Sequence, residues 1–404
     1  MKANRFLIAL FVLAIFASCE SDDTSDITIN ITNGGNGTGG GNEDAVNLSG
    51  VYTQDLELDE DVDYIINGPL IMSNGTTLTI PAGTTLRALP VGVNAYIAIQ
   101  QGARIDAQGT ADDPIVLTSA ANDPDSGDWG GLIILGRAPI NSTAAGSTDT
   151  ATSEVGQLSY GGNDESDDSG DISYMRIEYA GGAIDGNAEL NGLSLYAVGN
   201  GTSIDHVQVY RGSDDGVEFF GGTVNVSFLS VVGAEDDSID WTEGYRGTLT
   251  DVYVEQLDVA DGDSAFEMDG FNTDFSLEDV NLLSRPTVNR VTIVGNDDDS
   301  RAFRVRAGSG GIFSNIEISN TGRGVVIEDD ESAFRTSSNI PSDLFFTNVL
   351  FDDVDTEYSY GFEESVGSAN PAPTQDDVIE NDDDDDDDDA GTDYDSWGDG
   401  WTRN

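Results

Sequence analysis

A single cysteine (Cys19), a single histidine (His206) and a single lysine (Lys2) stand in this chain of 404 residues. One cysteine excludes an intrachain disulfide and any structural zinc site built on several thiolates. One histidine means that a Ser-His-Asp or Cys-His enzyme would have to use His206, and no G-x-S-x-G elbow accompanies it. Positive charge is scarce: 16 basic residues face 76 acidic ones, a formal net of −60. Such a surface repels phosphate backbones, so nucleic acid is excluded as a partner. It attracts cations and cationic partners, or else suits a salty exterior, where screening over about 3–10 Å makes like charges tolerable. Also missing is any long stretch with the 3.6-residue period of an amphipathic helix.

The N-terminus reads as an address. Lys2 and Arg5 precede an apolar run from Phe6 to Phe16 that is too short to span a bilayer, and Ala17-Ser18-Cys19 follows. The junction resembles a bacterial lipobox, with Phe16 where leucine is usual. That resemblance implies a signal peptide over 1–18 and a diacylated Cys19 as the mature N-terminus. Glu20-Ser21-Asp22-Asp23 resembles the acidic surface-export tag of Bacteroidota lipoproteins, which implies an outer-membrane anchor with the body facing the cell exterior. Without residues 1–18, 14 arginines remain against 76 acids, a formal net of −62. Residues 19–48, Gly/Asn-rich over 33–44, read as a tether; about 25 such residues reach roughly 25–30 Å.

The body is a repeat. Ile204 to Phe220 (IDHVQVYRGSDDGVEFF) matches Val226 to Thr242 (VSFLSVVGAEDDSIDWT) at an offset of 22 residues. The pattern returns at Val252-Tyr253-Val254 with Ala265 to Met268, at Val291-Thr292-Ile293 with Ala302 to Val305, and at Ile316-Glu317-Ile318 with Val325 to Ile327. Each unit is a strand, a polar turn, a second strand and a Gly-rich corner, and it buries its apolar face only by stacking, about 4.8 Å from the next. Upstream, Gly75 to Arg87, Tyr96 to Asp106, Pro114 to Ser119 and Trp129 to Leu135 read as further coils. A β-sandwich is the rival, but the fixed offset favours an all-β, single-stranded right-handed parallel β-helix (solenoid). It is expected over 49–362, with roughly ten to twelve coils, strands buried on one face and a loop insertion at about 141–171. Residues 363–395 contain eight consecutive aspartates, Asp382 to Asp389, and read as disordered. Residues 396–404 are aromatic again and read as a possible cap on the last coil.

The stretches WGGLIILGRAPI (129–140), YGGNDESDDSG (160–170), RIEYAGG (176–182), NGLSLYAVGNGT (191–202), DDGVEFFGGTVN (214–225) and DDSIDWTEGY (236–245) cover most of residues 50–345. In them the chain resembles a group of Bacteroidota β-helix surface lipoproteins with a pectin-lyase-like fold. The resemblance implies fold and location, and no catalytic residue is carried over from it.

Alignment of the coils gives columns of side chains. In the second strand Val217/Phe219, Ile239/Trp241, Phe266/Met268 and Phe303/Val305 alternate inward, which leaves Glu218, Asp240, Glu267 and then Arg304 facing out. Asp214, Asp236 and Asp263 form a second acidic column, with Asp215 and Asp237 beside it. Carboxylates about 4.8 Å apart repel by roughly 1 kcal/mol per pair in water and several-fold more at an effective dielectric near 20. Three solutions are open: Ca²⁺ shared between coils, the Arg301/Arg304 end of the ladder, or carboxyls that keep their protons. Solvated turn aspartates are the plain alternative. On the first-strand face one outer column reads Tyr174, His206, Phe228, Asp251, Arg290, and its neighbour reads Arg176, Gln208, Ser230, Tyr253, Thr292. Aromatic platforms with arginine and amide edges suit sugars, so Tyr174, Arg176, His206, Gln208, Phe228, Tyr253 and Arg290 form the candidate ligand face.

Catalysis has a weaker basis. Arg211 beside Asp214 and Asp215 could serve a polysaccharide lyase, or paired carboxylates a hydrolase, on uronate-containing glycans. The ordered signature of a polygalacturonase-like enzyme is absent: Asn272-Thr273-Asp274 comes after the aspartate pair, no Gly-His-Gly follows, and Arg304-Val305-Arg306 stands for Arg-x-Lys. Fold alone is not function. The sequence therefore favours a non-catalytic surface binding or adhesion module. Its expected partners are glycans or an outer-membrane uptake receptor, with Ca²⁺ as the one candidate cofactor.

Overall fold

Strand Ser203–Tyr210 shows how the repeat becomes a coil. Ile204 and Val207 both lie in the core, three residues apart, where strict alternation would put them on opposite faces. Between them His206 has a φ of +50°. That kink bends one continuous strand around a corner, so its two arms join different sheets. The computed structural model describes residues 45–142, 150–183, 190–257, 264–271, 282–333, 336, 343–361, 372–380 and 390–403.

Three parallel ladders run through these residues. Sheet A stacks Ile204, Val226, Leu249, Val288, Phe313, Phe346 and Ile379. Sheet B stacks Val207, Leu229, Val252, Val291, Ile316 and Val349. Sheet C carries the second strand and stacks Phe219, Trp241, Met268, Val305 and Ile327. Followed upstream, each sheet has eleven rungs among the described residues. The fold is a right-handed parallel β-helix, as the repeat predicts. Its interior holds stacked aromatics, such as Phe313 over Phe346 at 4.2 Å and Phe266 over Phe303 at 4.9 Å. Among the described residues the stack runs from Val46 to Ile379–Glu380, beyond the expected 49–362 at both ends.

Three expectations need correction. Strands were expected to be buried on one face, yet Leu132–Leu135 and Leu193–Tyr196 of sheet C are buried at every position. Part of the insertion forms an antiparallel pair, Ala151–Thr152 with Ser159–Tyr160. It helps roof a second apolar cluster on the outside of sheet C, around Ile133, Tyr160, Tyr196 and Phe220. The segment 363–395 was expected to be disordered, but 372–380 supplies a 3₁₀ turn and the last rung, and 390–395 is ordered. Asp382 to Asp389 lie outside the described residues. The terminal aromatic segment does not cap the last coil; it runs along the flank of sheet B, against coils far upstream.

Candidate functional site

The corner between sheets A and B carries the first predicted column. Tyr174, His206, Phe228, Asp251 and Arg290 all have φ between +48° and +58°. The left-handed region costs roughly 1–2 kcal/mol for a residue with a Cβ, least for asparagine. Farther along, Asn315 and Asn348 hold the same corner, and Asn348 Nδ2 donates to Asn315 Oδ1 at 2.8 Å. Upstream the side chains meet as rings: Tyr174 stacks on His206 at 4.1 Å and His206 on Phe228 at 4.3 Å. Arg290 then makes a two-bond pair with Asp251, at 2.7 and 2.6 Å. The second column, Arg176, Gln208, Ser230, Tyr253 and Thr292, lies in register beside it on sheet B. The structure thus brings all seven candidate ligand-face residues onto one flank.

That flank is not open. Residues 390–403, here called the strap, lie along it. Thr392 donates its N–H to Thr292 Oγ1 at 2.9 Å and its hydroxyl to Asp251 at 3.1 Å. Tyr394 stacks on Tyr253 at 3.8 Å, the ring planes parallel to within 2°. The one-turn helix Tyr394–Trp397 and the turn after it put Trp397 and Trp401 on the same side, four residues apart. Trp397 meets Phe228 edge-on at 5.6 Å, and the fully buried Trp401 meets Tyr174 at 5.6 Å and His206 at 5.9 Å. Arg176 donates to the Trp401 carbonyl at 2.7 Å. Gln208, fully buried, clamps the backbone of Arg403: Arg403 N–H donates to Oε1 at 2.7 Å, and Nε2 donates to the Arg403 carbonyl at 2.8 Å. The Arg403 guanidinium lies 5.4 and 4.9 Å from the ring centres of Tyr179 and Tyr210 and pairs with Glu178 at 2.9 Å. Sequence reasoning missed Glu178, which also accepts from Arg176 at 3.0 Å and Thr118 at 2.9 Å; the alternation Arg176-Ile177-Glu178 was the available signal.

The acidic column lies on sheet C. Glu218, Asp240, Glu267 and Arg304 are in register there. They do not face open solvent. Glu267 is buried and takes a hydrogen bond from Arg304 at 2.6 Å, while Arg306 pairs with its other oxygen and with Asp269. That double pairing removes Glu267 from the candidate cation ligands. Glu218 accepts from Asn191 Nδ2 at 2.6 Å. Asp240 Oδ1 and Asn191 Oδ1 are buried with no protein partner. In the turn, Asp215 accepts the Asp237 N–H at 3.1 Å and Asp237 accepts the Ser264 N–H at 2.6 Å, so each carboxylate ties its coil to the next. Asp215, named as an alternative catalytic residue, thus has a structural task. Arg211 donates to the Tyr210 hydroxyl at 3.2 Å. Asp214, Asp215 and Asp236 bring carboxylate oxygens within 4.8 Å of one another, as do Asp215, Glu218 and Asp240. Asp263 lies outside the described residues. Burial, reinforced by neighbouring carboxylates, pushes Asp215, Glu218, Asp237 and Asp240 well above the usual carboxylate range. Such a cluster can keep protons or take a cation.

Beside it stands Glu243, which sequence reasoning did not single out. It is buried, accepts the Tyr160 hydroxyl on both oxygens at 3.1 and 3.0 Å and the Ser142 hydroxyl at 3.1 Å, and burial raises it to about 7.

No curated protein and no solved structure matches the chain. Residues 50–402 match the family described as Pectate-lyase like beta helix domain. The eleven-rung parallel stack and this match over most of the chain carry one conclusion: the protein belongs to the pectate-lyase-like β-helix domain family.

Proposed function

We propose that this protein is a lipid-anchored outer-membrane module that binds partners without turning them over, its body facing the cell exterior. One observation carries the binding reading. The best-built recognition surface among the described residues is the sheet B flank, where Gln208, Arg176 and the ring column hold a length of chain by backbone and aromatic contacts. The partners envisaged are glycans or an outer-membrane uptake receptor, since rings edged by arginine and amide suit both sugar and protein surfaces. The anchoring part rests on the sequence of residues 1–23. Among the described residues no helix is long and apolar enough to cross a membrane. Cation stabilisation through Asp214, Asp215, Asp236, Glu218 and Asp240 belongs to the same proposal.

The test is a screen of the purified chain against uronate-containing and neutral glycans, with and without Ca²⁺. A variant with a weakened strap, Trp401→Ala with Arg403→Ala, runs beside the wild type. Retention without turnover, stronger in the strap variant, is the expected result. Release of unsaturated product absorbing in the ultraviolet would overturn the reading in favour of a lyase using Arg211 and Asp214. For the anchor, Cys19→Ser should release the protein from the membrane fraction, and protease added to intact cells should digest the wild type; persistence at the membrane, or protection from protease, refutes the corresponding part.

A further inference from the structure

We infer that the sheet B flank is a docking groove for a short aromatic peptide with a helical turn, and that its partner in trans is the C-terminal segment of a second copy of this chain. The inference rests on the binding reading above and names the partner for that face.

The first argument is that the strap is a ligand of the stack, not a part of it. The eleven rungs of each sheet close without it, because the strap forms no strand on any ladder. Side chains supply most of its contacts with the flank. The Gln208 amide reads the peptide backbone at Arg403 through one donor and one acceptor, a device that holds the backbone whatever its side chain. Identity is read at two other places. Trp401 enters fully buried between strap and ring column, and the Arg403 guanidinium lies against two tyrosine rings and the buried Glu178 carboxylate. The ligand class is therefore a segment with tryptophans four residues apart and an arginine two residues after the second.

The second argument is the cost of the corner. The A–B corner needs only a residue that tolerates positive φ, and asparagine fills that need at 315 and 348. Tyr174, His206 and Phe228 accept the same conformation at greater cost, and they are the corner residues that touch Trp397 or Trp401. Rings placed at a strained corner, and only where the strap lies on them, mark a surface shaped for that segment.

The third argument concerns exchange. Nine residues, 381–389, join the strap to the last rung, and eight of them are aspartates. A short tether gives an effective concentration on the order of mM, so the chain's own strap wins in dilute solution. An empty groove then accepts a neighbour's strap with the same contacts, and the anchor proposed above would bring such neighbours together on one membrane.

The experiment uses two full-length chains. One carries Trp401→Ala with Arg403→Ala, leaving the groove intact and the strap weak. The other carries Gln208→Ala with Arg176→Ala, leaving the strap intact and the groove weak. Each alone should be monomeric by light scattering, and the mixture should form a 1:1 pair of about twice the mass. A monomeric mixture, with both variants melting as cooperatively as the wild type, overturns the inference. If the groove variant melts early, a fluorescent peptide of residues 390–403 titrated into the strap-weakened chain decides instead. Saturable binding, weaker by about tenfold or more to the wild type and for a peptide with Trp401→Ala, sustains the inference. Absence of binding, or equal binding by the wild type, overturns it. Glycan retention without peptide binding overturns the peptide partner while leaving the binding reading standing; peptide pairing without any glycan retained sustains the partner.

Discussion

At the scale of single residues, Glu243 is the group whose surroundings make the sharpest demand. It sits under the insertion with Tyr160 and Ser142 donating to it, and burial holds its proton up to about 7, against 4.5 for an ordinary glutamate. Between those two values the folded state binds more protons than the unfolded chain. The stability this contributes is fully present below 4.5, declines as pH rises, and is lost above 7. The difference amounts to ~3 kcal/mol for a well-buried group. Asp215, Glu218, Asp237 and Asp240 are displaced in the same direction and add to the trend. The melting temperature should therefore rise as pH falls from 8 to about 5, the reverse of ordinary acid denaturation. Glu243→Gln keeps an acceptor for Tyr160 and removes the titration. It should raise the melting temperature at pH 8 and flatten its dependence on pH by about one proton. A variant with the wild-type slope would show that Glu243 carries no share of it.

At the scale of the strand, the inward ladders carry the fold. Leu229 is fully buried between Val207 and Val252 on sheet B. Leu229→Ala should cost roughly 2–5 kcal/mol, and Leu229→Asp should abolish folding, because an unpaired charge would enter the stack. Loss of the cooperative melting transition and of the β-type circular dichroism is the readout; a folded Leu229→Asp chain would contradict the register. Arg306 plays the matching part on the outside of sheet C. Arg306→Met leaves Asp269 without the guanidinium paired to it, a change of roughly 3–5 kcal/mol when a buried pair loses one partner, measured by chemical denaturation. These ladders were legible because a repeat at a fixed offset puts equivalent residues on top of one another: Ile204 over Val226 and Val217 over Ile239 follow from alignment alone. The corner was less so. Ile204 and Val207 both point inward only because His206 takes a positive φ, and no sequence period announces that. Leu132–Leu135, four apolar residues without alternation, did signal burial on both faces, but the roofing partner comes from a separate insertion. The strap was visible as aromatics in an acidic tail, yet its seat extends up to 225 residues upstream in sequence, beyond the reach of any local pattern.

At the scale of the whole molecule the governing fact is charge, 76 acids against 16 bases, folded into columns. Folding brings Asp214, Asp215 and Asp236, and likewise Asp215, Glu218 and Asp240, into mutual reach, whereas the unfolded chain relaxes that proximity. Whatever neutralises them binds the folded state preferentially and so stabilises it by mass action. Three agents compete: protons, the Arg304 and Arg306 end of the ladder, and a divalent cation. The arginines pair with Glu267 and Asp269, and Arg306 also acts through space on Asp240. A Ca²⁺ ion at 100-fold excess over its dissociation constant would add about 2.7 kcal/mol for one site. Protons held by the same carboxyls oppose it, so the gain should be large at pH 8 and small at pH 5. Monovalent salt acts only by screening and should change little between those pH values in this cluster. The measurement compares melting temperatures in EDTA, in millimolar Ca²⁺ and in NaCl of matched ionic strength, at both pH values. A Ca²⁺ effect at pH 8 that exceeds the NaCl effect, vanishes in Asp236→Asn with Asp240→Asn, and survives deletion of Asp382 to Asp389 assigns the cation to the coils rather than to the aspartate run. A Ca²⁺ effect no larger than that of NaCl leaves protons as the neutraliser, and the reversed pH dependence should then appear undiminished in both salts.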